Sequence, residues 1–302
     1  MVSAFAGTLD TPRVGLDDDY FALGGTSLGA TTVVTALSQS LGRPVPVQWI
    51  FTHPTPGSLA RRLLDSPLID DSFDAVLLLH ESGPGDPLFC VHPAAGLAWC
   101  FAGLARRIDD RPVYGLQSPL LTDPDREIGT LADLAAAHID SIRAIRPHGP
   151  YHLLGYSVGG QIAHEIAAQL TAEGEVVASL TMLDTHLQDR TPTAETVAAE
   201  IEAASPGSVP QHRDVLRSAF SRTIGFATGH RPTARPAADL VFFESADAVA
   251  ARMPEPVEVW QPHIDGHIVT HRLDVTHRDM TGPHALDQIT PVLTDHLRKG
   301  LS

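Results

Sequence analysis

The sequence has 302 residues, of which 43% are hydrophobic and 19% charged, with 24 glycines, 24 prolines and a formal net charge of −15. That length and composition imply a folded chain of about two domains rather than a disordered one. Basic residues form nothing larger than pairs such as Arg61-Arg62 and Arg106-Arg107, no apolar run approaches the roughly 20 residues of a membrane span, and the first residues do not read as a signal peptide, so nucleic-acid binding, membrane insertion and secretion are set aside. Two cysteines, Cys90 and Cys100, are too few for a disulfide framework and point to a reducing, cytoplasmic compartment.

Residues 10–25 read as a loop rich in Asp, Gly and Pro. Ser27–Leu41 follows with apolar or small residues at 30, 33, 34, 37 and 41, the stripe of an amphipathic helix, and Gly42 is its stop. Val47–Phe51 reads as one short helical turn. Thr55-Pro56 is a cap followed by proline at the first helical position, and it predicts a helix to about Asp65. Residues 1–66 are therefore expected to form a small all-α helical bundle, and residues 67–73 a linker. This first part carries four basic and five acidic residues, so nearly all of the net charge lies beyond it.

From residue 74 strand and helix alternate. Strands are expected at Asp74–His80, Leu88–Val91, Val113–Leu116, Tyr151–Tyr156, Val176–Leu183, Leu240–Glu244, Val257–Gln261 and Ile268–Val275. Helices are expected near Ala98–Ile108, at Leu131–Ile145 and Val158–Glu173, and from Pro283 to about Leu301. This rhythm predicts a mostly parallel sheet covered on both faces. It breaks between Thr185 and Ala238, where Ala194–Ala204 and Gln211–Ile224 read as helices separated by Ser205–Pro210. A helical insertion at 185–238 is expected to form a lid over an active site.

The chemistry concentrates at Gly155-Tyr-Ser157-Val-Gly159. It fits G-x-S-x-G, and a predicted strand precedes it and a helix follows. The tight strand-to-helix turn lifts the Ser157 hydroxyl to the top of the sheet, where the positive helix end favours an oxyanion and the Val158 N–H is expected to donate to it. A serine nucleophile needs a base, and the base needs an orienting acid, in the chain order Ser, acid, His. Asp184 ends one strand; Glu244 or Asp247 follows the next, and spacing alone does not choose between them. His277 lies between the last strand and the last helix, where the base belongs, with His284 its near competitor. His263, His267 and His271 are spaced by four, but the Asp265-Gly266 turn keeps them off one helical face, so no metal site is expected. The loop His92-Pro-Ala-Ala-Gly96 is expected to supply a second oxyanion donor, Ala94 or Ala95.

In the first part, Gly24-Gly-Thr-Ser27 sets a serine at a helix start, which suits a cap and also suits a phosphodiester. With its context, Asp17-Asp-Asp-Tyr-Phe-Ala-Leu-Gly-Gly-Thr-Ser-Leu28 resembles the carrier-protein signature of nonribosomal peptide synthetases, with Tyr20 in place of the first Phe. Phe51-Thr-His-Pro-Thr55 is similar to the downstream stretch of that family. Residues 74–302 resemble the type I thioesterase that ends such synthetases, through Val91–Cys100, Val113–Gln117, Gly149–Gly160, Met182-Leu-Asp184 and His277-Arg-Asp-Met-Thr-Gly-Pro283. The resemblance implies a peptidyl carrier protein followed by an α/β-hydrolase fold. It implies 4′-phosphopantetheine on Ser27, catalysis by Ser157, Asp184 and His277, and Ala94 as the second oxyanion donor. It also implies peptide release by hydrolysis or macrocyclisation, as in siderophore or peptide-antibiotic biosynthesis. The implied partners are upstream condensation and adenylation domains, a phosphopantetheinyl transferase, a peptidyl thioester, and the carrier itself docked on the thioesterase. The first carrier helix is expected to begin upstream of Met1. Ala95 stands where the family more often has glycine, and His186 is an extra imidazole close to Asp184. The alternative reading is a free-standing serine esterase with an unrelated helical appendage.

Overall fold

The computed structural model describes residues 1–9, 13–25, 27–43, 45–46, 48–65, 73–81, 83–187, 191–204 and 210–299. The first part is helical: α1 (Val2–Ala6), α2 (Ser27–Leu41), α3 (Gln48–Thr52) and α4 (Pro56–Asp65). The stripe foreseen on α2 supplies Ala30, Val33, Val34 and Leu37 to a core shared with Phe5, Tyr20, Ile50 and Leu59, whereas Leu41 ends the helix exposed. Tyr20 is fully buried because its polar atoms are partnered: the ring hydroxyl lies 3.1 Å from Thr8 Oγ1, and its N–H donates to Pro54 O at 2.8 Å. Most of the expected linker, residues 67–72, lies outside the described residues.

The second part contains β1 (Val76–His80), β2 (Leu88–Val91), α5 (Ala102–Ala105), β3 (Val113–Leu116), α6 (Leu131–Ile145), β4 (Tyr151–Tyr156), α7 (Val158–Ala172) and β5 (Val177–Leu183). Then come α8 (Ala194–Ala204), α9 (Pro210–Ala227), β6 (Leu240–Glu244), α10 (Ala246–Ala250), α11 (Pro256–Trp260), β7 (Ile268–Arg272) and α12 (Pro283–Lys299). The strands form one sheet in the order β1-β3-β2-β4-β5-β6-β7, parallel except for β1 against β3. Strands β2, β4 and β6 are buried at every residue, as expected for strands covered on both faces. One core cluster joins the sheet to α6, α7 and α9, and the other joins its opposite face to α5 and α12. Fully burying each Leu or Ile here contributes about 1.5–3 kcal/mol.

Register positions the site. Val91 pairs with Gly155, Gly155 with Met182, and Leu183 with Phe243. The C-terminal ends of β2, β4, β5 and β6 are therefore level, and the loops that follow them meet on one edge.

Three expectations are corrected. The strand expected at Val257–Gln261 is the helix α11: Pro256 takes its first position, and Pro256 and Trp260 are the two buried residues, one helical turn apart. Five residues are too few to separate the two periods. The single helix expected over Ala98–Ile108 is a 3₁₀ turn at Trp99–Phe101 followed by the four-residue α5. The short α10 was not foreseen, although Ser245 caps it by accepting from Ala248 N–H at 3.2 Å.

The two parts touch around Arg106 and Phe51. Arg106, at the end of α5, donates from Nη1 to Phe51 O at 3.0 Å and lies 3.6 Å from Asp19, with its guanidinium 4.8 Å above the Phe21 ring. Phe21 stacks on Phe51, and Phe51 packs on the larger core cluster of the second part. Among the described residues no helix is long and apolar enough to cross a membrane, and Cys90 and Cys100 are free thiols.

Candidate active site

Ser157 sits between β4 and α7 with φ 56° and ψ −128°, a conformation that L-residues rarely adopt. Hydrogen bonds hold it there: Ser157 N–H donates to Leu183 O at 2.9 Å, and Ser157 O accepts from Gly160 N–H at 3.1 Å. The turn needs glycine at 155, where a Cβ would lie 2.2 Å from Gly159 O and 2.4 Å from Gly160 N, both backbone atoms. Gly155→Ala is expected to destabilise the protein by about 3 kcal/mol, read as a lower denaturation midpoint at unchanged slope.

His277 Nε2 lies 3.2 Å from Ser157 Oγ, and His277 Nδ1 lies 2.6 Å from Asp184 Oδ2. The structure thus brings together the serine, the histidine and the carboxylate named from sequence. The rival residues do other things. Glu244 accepts from Arg272 Nε at 2.8 Å, Asp247 accepts from the His277 backbone N–H at 2.8 Å, and His284 is exposed on α12. His263 ends a 3₁₀ turn, His267 precedes β7 and His271 lies within it, stacked on Phe243.

Asp184 is 2% exposed and has φ 46°. Burial alone would raise its pKa, but hydrogen bonds from His186, His277 and Ser245 outweigh burial and hold the carboxyl well below the usual range. Its Oδ1 accepts from Ser245 N–H at 2.9 Å and faces His186 Nε2 at 3.2 Å. His186, marked in the sequence only as an extra imidazole, thus shares the carboxylate with His277. Tyr156 is a residue that sequence reasoning missed. Its hydroxyl donates to His277 O at 2.7 Å, so the residue before the serine holds the backbone of the histidine. Its place inside the G-x-S-x-G motif was the available signal.

Two sources of N–H groups face this edge. Val158 is the first residue of α7, so its amide lacks an intrahelical partner. In the loop after β2, His92 N–H is used by Leu116 O and Gly96 N–H by Pro93 O, which leaves the amides of Ala94 and Ala95. A Cβ on Gly159 would lie 2.4 Å from Val91 O and 2.5 Å from His92 O, so the start of α7 abuts this loop. Helix α8 is tied to residues beside the site. Trp99 Nε1 donates to Ala204 O at 3.0 Å, and Arg278, next to His277, donates to Glu200 at 2.7 Å. Helix α9 is anchored by Arg222, which donates to the carbonyls of Pro124, Arg126 and Ile128.

Ser27 is the first residue of the 15-residue helix α2; its side chain lies outside the described residues. Before it, Gly24 has φ 89°, and a Cβ on Gly25 would lie 2.3 Å from the Tyr20 ring. The chain therefore turns tightly at Gly24-Gly25. The first turn of α2 holds no acidic residue, so a phosphodiester there would meet the positive helix end unopposed.

A serine on a strand–elbow–helix turn, in line with an imidazole and a buried carboxylate at the C-terminal edge of a parallel sheet, defines the α/β-hydrolase class. Residues 86–296 match the thioesterase domain family model, and residues 1–63 match the model of the phosphopantetheine attachment site, the domain on which that group is covalently carried. The chain belongs to the thioesterase domain family. It is similar to the malpinin synthetase of Mortierella alpina, 34% identical over 99% of this chain and 4% of that protein. The dimodular nonribosomal peptide synthase of Bacillus subtilis is 34% identical over 98% of this chain and 14% of its own length. The chain thus spans a small fraction of these relatives. The NocB thioesterase domain, solved as a covalent complex with a fluorophosphonate nocardicin G analogue, is 27% identical with a TM-score of 0.57, covering 73% of this chain and 96% of that one.

Proposed function

We propose that this chain releases a peptide from a nonribosomal peptide synthetase in the cytoplasm. Residues 1–66 serve as the peptidyl carrier, 67–73 as a linker and 74–302 as the releasing thioesterase, with 185–238 as its lid. Ser27 is the attachment residue for 4′-phosphopantetheine, placed there by a phosphopantetheinyl transferase; when bound, the arm supplies the thiol that carries the peptide as a thioester. Upstream condensation and adenylation domains supply that peptide. The reading is carried by one observation: Ser157, His277 and Asp184 stand in hydrogen-bonded line at the strand–helix elbow of a thioesterase fold.

His277 Nε2 takes the Ser157 proton as Oγ attacks the thioester carbonyl. Asp184 holds the imidazole with Nδ1–H toward itself, which leaves Nε2 free to accept. Val158 and Ala94 amides receive the oxyanion. When the C–S bond breaks, His277 returns the proton to the departing sulfur. A water, or an amine or hydroxyl of the peptide itself, then gives a proton to His277 and attacks the acyl-serine carbonyl; the bond to Ser157 Oγ breaks and His277 returns the proton to Oγ, yielding an acid or a macrocycle. By excluding water, the lid decides between them.

To test the carrier assignment, the protein is incubated with coenzyme A and a phosphopantetheinyl transferase and then weighed. A mass gain of one phosphopantetheine is expected, absent in Ser27→Ala; no gain in the wild-type protein overturns it.

We further assign Arg106 as the anchor of the docked carrier, because it contacts Asp19, Phe21 and Phe51 at once. A charged hydrogen bond of this kind contributes about 1.5–3 kcal/mol, equivalent to about 10–100-fold in a docking equilibrium. Arg106→Ala is expected to let residues 1–63 tumble independently in ¹⁵N relaxation, whereas in the wild-type protein they tumble with the larger part.

A further inference from the structure

Two histidines that the mechanism does not use lie buried beneath the loop after β2. His92, 0% exposed, begins that loop, and His138, 1% exposed, lies on α6. Their Nε2 atoms are 3.3 Å apart, and His92 Nδ1 is 2.8 Å from Pro93 O. A carbonyl oxygen only accepts, so His92 carries its proton on Nδ1. Its Nε2 is then an acceptor, and the proton between the rings belongs to His138 Nε2. Burial lowers the pKa of His92 to about 4 and that of His138 well below the usual range, so both rings are neutral.

This chain of bonds ends on a particular peptide group. Pro93 O also accepts from Gly96 N–H at 2.9 Å, so two donors fix its direction. The peptide bond from Pro93 to Ala94 is trans, because the one cis bond found among the described residues is Gly149-Pro150. In a trans peptide the N–H points opposite to the C=O. Fixing Pro93 O therefore aims the Ala94 N–H. The His92 carbonyl lies against the first turn of α7, so this loop and the elbow share a contact.

We propose that the buried His92–His138 pair aims the Ala94 amide at the oxyanion, making both histidines positioning residues for acyl transfer. The proposal rests on the reading of Ser157 as the nucleophile. It also favours Ala94 over Ala95, because Ala94 N–H shares its peptide plane with the carbonyl that the pair holds.

The test uses the whole protein and phenylboronic acid, whose tetrahedral adduct with a serine hydroxyl carries the negative oxygen that the amides receive. His138→Leu removes the donor and His138→Gln keeps an N–H. In folded His138→Leu we expect affinity for the boronic acid and kcat for an acyl thioester to fall together by about 10–100-fold, part of the ~10²–10³ that loss of an oxyanion donor costs. KM should stay within about twofold, and His138→Gln should recover most of both losses. Unchanged boronate affinity in folded His138→Leu overturns the proposal. A wild-type protein that forms no boronate adduct at Ser157 overturns the nucleophile reading instead. Side-chain ¹⁵N spectra of the wild-type protein give an independent check that needs no variant. They should show His92 as the Nδ1–H tautomer and His138 as the Nε2–H tautomer, and the opposite pairing overturns the proposal.

Discussion

Ser157→Ala is expected to lower kcat for acyl-thioester hydrolysis by about 10⁶-fold and to abolish labelling by a fluorophosphonate probe. The attacking atom, which lies 3.2 Å from His277 Nε2, is removed. Residual turnover of about 10³-fold over water is expected to remain, from the proposed oxyanion donors Val158 and Ala94. Stability should hardly change. Alanine at φ 56° carries the same backbone strain as serine, and Ser157 Oγ makes no side-chain cap to α7. A variant that keeps wild-type kcat would overturn the assignment of Ser157.

Asp184→Asn is expected to lower kcat by about 10⁴-fold. The direction follows from which oxygen faces which donor. Oδ1 faces the Ser245 backbone N–H, a donor that cannot reverse, at 2.9 Å. The amide oxygen of asparagine takes that side, and its NH₂ then faces His277 Nδ1. His277 must accept there, so its proton moves to Nε2 and points at Ser157 Oγ, where it blocks proton transfer. The same variant has a pH signature in stability. The native pKa of Asp184 is depressed, so its contribution is fully present above the unfolded value near 4 and is lost as pH falls further. The gap in denaturation midpoint between wild type and Asp184→Asn should therefore be widest near neutral pH and shrink in acid. A gap that grows toward acid would contradict it.

Much of the fold was legible locally. The residues of β2, β3, β4 and β6, and those of α2, α6 and α8, coincide with the sequence expectation, because each carries a complete period between clear stops. Expectation failed where elements are short. Val257–Gln261 offered too few residues to separate a strand from a helix, and α10 spans only five. At Trp99–Phe101 the chain tightens into a 3₁₀ turn, and it is there that Trp99 reaches α8. That partner is 105 residues away, beyond any local window.

The site divides in the same way. The sequence by itself determined that Ser157 is the nucleophile candidate, because the elbow is a local device: glycines spaced around one serine, between one strand and one helix. It also determined the division into a helical carrier and an alternating α/β part, since composition and periodicity change within one stretch of chain. Tertiary structure decided the rest. Asp184, Glu244 and Asp247 all lie at or just beyond strand ends on the same edge, and only the packed loops show that Asp184 meets the imidazole while Glu244 meets Arg272 and Asp247 meets a backbone N–H. The roles of Tyr156 and His186, and the bond between His92 and His138, likewise depend on which side chains packing brings within about 3 Å. Periodicity tells which way a side chain faces. It does not tell what it meets, because hydrogen bonds are short and the residues that make them here come from distant parts of the chain.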